Sequence, residues 1–195
     1  MITTIIFDFG GVLGTDADTI LYEVLAKYGT TKEKTLEIWN KHWPKMKIDD
    51  ERVDAIWKTI EEYTKTDIKK VSEEYNQMIA VNPEMLNLCK DLKQKGYKLA
   101  ILGNETYDWM NIKRQKGNLK EIFDVVYSSA DLKTSKPSKE AYLKTLKKLN
   151  AKPEETIFID DRESNTLAAE KLGIKSFVFT NINKLKQDLS KINLI

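Results

Sequence analysis

Five short stretches of the chain are almost continuously apolar: TTIIFDF near the N-terminus, then YKLAILGN, DVVYSSA, TIFIDD and KSFVFT. Each is rich in β-branched or aromatic residues and lacks the alternation of a half-exposed strand. Runs of this kind mark strands covered on both faces, as in a parallel sheet. Between the later runs the apolar positions recur at helical spacing. Met85, Leu88 and Leu92 precede the second run; Ala141, Leu143, Leu146 and Leu149 precede the fourth; Leu167, Ala168 and Leu172 follow it, with Gly173 as a helix stop. Strand and helix in alternation predict a doubly wound α/β parallel sheet.

The pattern changes between the first and second runs. Residues 16–82 contain no convincing strand and show four amphipathic repeats instead. They are carried by Ile20, Leu21, Val24, Leu25 and Tyr28; by Leu36, Trp39 and Trp43; by Val53, Ile56, Trp57 and Ile60; and by Ile68, Val71, Tyr75 and Met78. Each repeat places its apolar residues on one helix face, and four such faces can bury one another. The expected organisation is an α/β core from residues 1–15 and 83–195, with a small helical bundle, 16–82, inserted after the first strand. Asn82 and Pro83 mark the return to the core.

Composition narrows the range of functions. A chain of 195 residues makes one ordinary domain, or a core with a small insertion. The net charge is +2 and the only arginines are Arg52, Arg114 and Arg162, so no nucleic-acid partner is expected. No apolar stretch reaches the ~20 residues of a membrane helix. The single cysteine, Cys89, lies among Leu86, Leu88 and Leu92 and reads as a core thiol. A soluble cytoplasmic protein is the expectation.

In open α/β sheets ligands bind at the carboxyl ends of the strands, where the strand order reverses. Four strand ends here carry polar residues: Asp8, the LGNET segment, the SSADLKTSKP segment, and Asp160 with Asp161. Carboxylates brought together at adjacent strand ends repel unless a cation lies between them. Asp8, Asp160 and Asp161 suit Mg²⁺, a hard ion that takes oxygen ligands and often shares them with a substrate phosphate. A carboxylate can also attack phosphorus and form an aspartyl-phosphate. Lys136, just before Pro137, is the natural lysine to neutralise the transferring group. Pro137 should start the next helix.

Taken in order, these motifs resemble the haloacid dehalogenase-like hydrolase superfamily over essentially the whole chain. IIFDFGGVL looks like its first motif, LAILGN stands where the second lies, KTSKPSKEAY looks like the third, and TIFIDDRESN closely resembles the fourth. The resemblance implies a Rossmann-like core, a helical cap that closes over the site and selects substrate, and Mg²⁺ as cofactor. It implies Asp8 as nucleophile and Lys136 as the stabilising cation. It also implies Asp8, the Gly10 carbonyl, Asp161 and Asp160 (directly or through water) as the metal set. Phosphate would be bound by Gly103, Asn104 and Lys136, with Asn165 orienting its neighbours.

Two positions depart from the family pattern. The phosphatases it resembles usually carry aspartate two residues after the nucleophile, as proton carrier; here it is Gly10. The second motif usually ends in a hydroxyl residue; here it is Gly103, followed by Asn104. Asp16, Asp18 and Glu105 are the nearby candidates for a substitute acid. Helix capping is the plainer reading for Asp16 and Asp18, and solvent exposure for Glu105. The segment WNKHWPKMK reads first as an apolar helix face formed by Trp39 and Trp43, and second as an electropositive lid. His42 is the only histidine, so no histidine-cluster metal site can form.

The expected activity is therefore a Mg²⁺-dependent phosphatase acting on a small phosphorylated metabolite through an aspartyl-phosphate. The alternative is a catalytically degenerate relative that binds a phosphorylated ligand or a protein partner. A 2-haloacid dehalogenase ranks lower, because Asp160 and Asp161 would add unhelpful negative charge around an anionic substrate.

Overall fold

The computed structural model describes residues 1–195. The chain begins with β1 (Thr4–Phe7), followed by helices α1 (Ala17–Ala26), α2 (Lys32–Met46), α3 (Asp54–Thr64), α4 (Ile68–Met78) and α5 (Pro83–Gln94). Then come β2 (Lys98–Gly103), α6 (Tyr107–Lys116), α7 (Leu119–Ile122), β3 (Val125–Ser128), α8 (Ser129–Leu132) and α9 (Lys139–Leu149). The chain ends with β4 (Thr156–Asp160), α10 (Glu163–Glu170), β5 (Lys175–Val178) and α11 (Ile182–Lys191). Every strand falls inside one of the five apolar runs.

The sheet is parallel throughout, in the order β3-β2-β1-β4-β5. All four residues of β1 are fully buried, as a central strand with helices on both faces requires. One apolar cluster, including Phe7, Leu92, Ile101 and Ile159, fills one side of the sheet. A second, including Ile6, Tyr142 and Phe158, fills the other. β5 departs from the expected double coverage. It is an edge strand, and Val178 is 42% exposed. From β1 the chain builds outward through β2 and β3, then returns to β4 on β1's other side. Strand order therefore reverses between β1 and β4, and the crevice at their carboxyl ends is where a ligand belongs.

Helices α1–α4 share a third apolar cluster. All four amphipathic repeats contribute, although Leu36 faces solvent, at 44% exposed. The segment is tied where it leaves and rejoins the core: Asn82 N donates to the Leu13 carbonyl at 2.8 Å and Thr15 N to the Ala80 carbonyl at 3.1 Å. A Cβ on Gly14 would stand 2.3 Å from the Ala80 oxygen, so only glycine permits this close crossing. Asn82 caps α5 through Glu84 N and Met85 N, with Pro83 in the first turn. Trp109 of α6 enters the α1–α4 cluster, stacked on Trp39 with ring centroids 6.3 Å apart. Lys116 donates to the carbonyls of Asn76, Gln77 and Ile79 at the end of α4. Cys89 is buried in the core, and burial pushes its thiol far up from its usual range. No helix is long and apolar enough to cross a membrane.

Candidate active site

Asp8 is the first residue beyond β1, and its N–H extends the ladder to the Ile159 carbonyl at 2.8 Å. Its Oδ1 accepts from Phe9 N at 2.6 Å and lies 2.8 Å from Lys136 Nζ. Lys136 Nζ also donates to Asp160 Oδ2 at 2.6 Å, at the end of β4. The lysine is 1% exposed, with Phe158 packed under its ammonium at 5.3 Å. A cation this deeply buried needs compensating anions, and it has one on each side.

Lys136 is held by a reciprocal pair: its N–H donates to Asn104 Oδ1 and its carbonyl accepts from Asn104 Nδ2, both at 2.9 Å. Asn104 thus reaches the site chiefly as a clamp on the lysine, and only its second N–H is left for a ligand. The bond between Lys136 and Pro137 is cis, and α9 starts later than expected, with Ser138 at its N-cap rather than Pro137 in its first turn.

Asp160 is fully occupied inside the protein. Oδ1 accepts from Arg162 N and Asn165 Nδ2, both at 2.9 Å; Oδ2 accepts from Lys136 and from Asn165 Nδ2 at 3.1 Å. Asn165 is held in turn by Tyr142, whose hydroxyl donates to its carbonyl at 2.9 Å. Asp161 is the opposite case: its Oδ1 is buried and has no hydrogen-bond partner. Ligand oxygens of Asp8, Asp160 and Asp161 lie within 4.8 Å of one another. An orphaned buried carboxylate oxygen beside two more carboxylates is the donor set of a hard cation. With Asp160 saturated, the oxygens open to such an ion are those of Asp8 and Asp161.

The electrostatics agree. Burial, opposed by Lys136 and reinforced by Asp160, pushes Asp8 up to about 7. Burial, then the Asp160 charge, raises Asp161. Burial, then Asp161 and Asp18, pushes Asp16 up to about 6. A bound cation would reverse each of these shifts.

Asp8 opens into a cavity of about 280 Å³ between the strand ends and α2. The core lines it with Gly10, Gly103, Asn104, Glu105, Lys113, Arg162 and Asn165, the start of α1 with Asp16 and Asp18, and α2 with Trp39, Asn40, Trp43 and, just past its end, Lys47. The WNKHWPKMK segment combines both earlier readings. Trp39 and Trp43 stack at 4.3 Å as an apolar face, yet the same face roofs the cavity. His42 is structural, hydrogen-bonded to Glu51 and Thr59 at 2.7 and 2.9 Å. At Gly103 a Cβ would lie 3.1 Å from the Met110 methyl and 3.8 Å from Asp8 Oδ1, so the methionine packs closely beside the glycine.

Glu105 is not solvent-exposed. It is 2% exposed and paired with Lys113, which also lies 4.5 Å over the Phe9 ring. Asp18 accepts from Thr19 N at 2.9 Å and faces Arg162 at 4.0 Å. Asp16 occupies the N-cap position of α1, but its side chain makes no cap bond. Sequence reasoning passed over Lys113 and Arg162 as cavity cations, while Lys47 belongs to the segment already weighed as an electropositive lid. Arg162 was findable, since it directly follows the carboxylate pair on β4; Lys113 sits on α6, which has no clear apolar stripe.

The chain and its fold are similar to known proteins. A family model described as haloacid dehalogenase-like hydrolase matches residues 5–179. Among curated proteins, the pyrophosphatase PpaX of Bacillus cereus is 26% identical over 183 residues, covering 90% of this chain and 82% of its own length. Among solved structures, a HAD family enzyme from Bacteroides thetaiotaomicron superposes with a TM-score of 0.81 at 21% identity, covering 95% of this chain and 98% of its own. The same enzyme in complex with magnesium and inorganic phosphate superposes at 0.73 with 20% identity, covering 95% and 99%.

Proposed function

The chain belongs to the haloacid dehalogenase-like hydrolases, and from that premise we propose that it is a Mg²⁺-dependent phosphomonoester hydrolase of the cytoplasm, acting on a small phosphorylated metabolite through an aspartyl-phosphate on Asp8. The observation that carries this reading is Lys136 Nζ, seated between Asp8 at 2.8 Å and Asp160 at 2.6 Å where the strand order reverses. One carboxylate is thereby held beside a fixed positive charge, with its second oxygen left free of protein partners. That arrangement suits a nucleophile approaching an anionic phosphoryl group.

In this reading Asp8 Oδ2 forms the bond to phosphorus as the ester oxygen leaves; water then attacks phosphorus, and the Asp8–phosphorus bond breaks. Lys136 opposes the rise that burial imposes on Asp8 and offsets charge on the phosphoryl oxygens. Asp160 acts as the counter-charge that holds Lys136, and Asn165 fixes Asp160. A magnesium ion held by Asp8, Asp161 and the Gly10 carbonyl would neutralise charge on the transferring group. Phosphate oxygens are met by Lys136, the Gly103 backbone and the remaining N–H of Asn104. Residues 16–82 act as the cap, with α2 and Lys47 as roof and selector.

The cavity is slightly below the ~300–1,000 Å³ of sites for drug-sized ligands and is predominantly polar, which favours a compact substrate. A curated relative is named as a pyrophosphatase, so inorganic pyrophosphate belongs in the substrate panel. The test is a screen of phosphorylated metabolites and pyrophosphate with and without Mg²⁺. Metal-dependent phosphate release that vanishes in Asp8→Asn supports the hydrolase. Ligand-induced thermal stabilisation without turnover supports a degenerate binder instead, and unchanged release from the Asp8→Asn variant removes Asp8 as nucleophile.

A further inference from the structure

Phosphomonoester hydrolysis through Asp8 needs a group that gives a proton to the departing oxygen and later takes one from water. This inference rests on the hydrolase reading and supplies that group. Four carboxyl residues line the cavity: Asp8, Asp16, Asp18 and Glu105. Asp8 is engaged in the bond to phosphorus. Glu105 is buried against Lys113 and accepts from Thr106 N at 3.0 Å. Asp18 is committed to Thr19 N and faces Arg162. Asp16 alone has a side chain with no hydrogen bond, although its place at the N-cap of α1 offers it one.

Its position is specific. A Cβ built on Gly10 would fall 2.3 Å from Asp16 Oδ1, and one on Gly11 would fall 3.3 Å from Asp16 Oδ2. The carboxyl of Asp16 therefore lies against the backbone two residues after Asp8, in the space a side chain at position 10 would fill. The glycine is what admits it.

We propose that Asp16 is the general acid and base of this enzyme. In the first half-reaction the Asp16 carboxyl gives its proton to the ester oxygen as the bond from phosphorus to that oxygen breaks and the bond to Asp8 Oδ2 forms. In the second, the Asp16 carboxylate accepts a proton from water as the water oxygen attacks phosphorus and the Asp8–phosphorus bond breaks. Phosphate leaves, Asp8 is again a carboxylate, and Asp16 is again protonated.

The test is the leaving-group dependence of Asp16→Asn, an isosteric change that keeps a good N-cap residue. Proton donation matters for a poor leaving group and little for a good one. For glycerol 2-phosphate, kcat/KM should fall by about 100-fold or more; for p-nitrophenyl phosphate it should fall by less than about tenfold, general acid–base catalysis being worth ~10²–10⁴. With p-nitrophenyl phosphate the variant should release one equivalent of p-nitrophenolate in a burst and then turn over slowly, since only the second half-reaction still needs the base. A second pair of variants removes dependence on one substitution. Gly10→Asp should give no gain, because the space is taken; Gly10→Asp combined with Asp16→Gly should recover at least about tenfold over Asp16→Gly alone.

Equal loss on both esters, or no loss on either, would overturn the assignment. So would a variant whose only change is a higher Mg²⁺ requirement, which would make Asp16 a metal ligand. Absence of turnover on every ester by the unaltered protein would overturn the hydrolase reading and this one together, and is distinguishable from the other outcomes because the unaltered protein itself fails.

Discussion

The two flanks of Asp8 are built differently. On one side, Lys136, Asp160, Asn165, Asn104 and Tyr142 form a closed network in which both oxygens of Asp160 are satisfied. On the other, Asp161 Oδ1 is buried without a partner and the Asp16 side chain makes no hydrogen bond. A satisfied polar network fixes geometry; the buried, unpartnered oxygen of Asp161 stores unfavourable energy that a ligand can relieve. In the proposed reaction the first flank would aim the nucleophile, and the second would take up the charge and protons that metal and substrate bring.

Removing the centre should have the largest effect. Asp8→Asn should lower metal-dependent phosphate release by about 10⁴-fold or more, read as phosphate production under saturating Mg²⁺. Breaking the closed flank comes next. Lys136→Met leaves Asp8 and Asp160 facing each other without their cation, and urea unfolding should show a loss of about 3–5 kcal/mol along with loss of activity. Asp161→Asn should act on the open flank only: the Mg²⁺ concentration for half-maximal activity should rise by about 10- to 100-fold, while metal-free stability holds or improves because an unpaired charge is gone.

The pH dependence sharpens the contrast. Asp8 is raised to about 7, Asp16 to about 6, and Asp161 also upward, against an ordinary value of about 4. The folded state therefore binds more protons than the unfolded chain through this range, and metal-free stability from these groups falls as pH rises from about 4 to about 7. A cation that favours their ionised forms reverses the trend. The gain in melting temperature on adding Mg²⁺ should thus be larger at pH 8 than at pH 5, and an equal gain at both would contradict the open flank. The smallest effect belongs to Tyr142→Phe, which removes one hydrogen bond behind Asn165 and should cost roughly 1 kcal/mol in unfolding, with activity changed less than about threefold.

Much of this was legible in the sequence, for a physical reason. Parallel strands buried on both faces must be continuously apolar, so β1, β2 and β4 stand out, and with them the strand ends that carry Asp8, Gly103 and Asp160. Less visible is α6, whose Trp109 packs into the α1–α4 cluster while Met110 packs on the core, so its apolar residues never form one stripe. With α6 obscured, the burial of Glu105 against Lys113 could not be foreseen. Asp16 was already among the candidates for a substitute acid, with capping as the plainer reading. An aspartate before a helix reads as a cap, and only the backbone path through Gly10 and Gly11 shows that its carboxyl turns toward Asp8's strand end instead.

The proposal that Asp8 is a nucleophile beside a metal-dependent open flank can be tested most directly by rapid acid quench during turnover of p-nitrophenyl phosphate, followed by peptide mass analysis. A phosphoryl adduct on Asp8 should form with Mg²⁺, disappear without it, and accumulate further in Asp16→Asn. Turnover with no adduct on Asp8 in either the unaltered protein or that variant would contradict it.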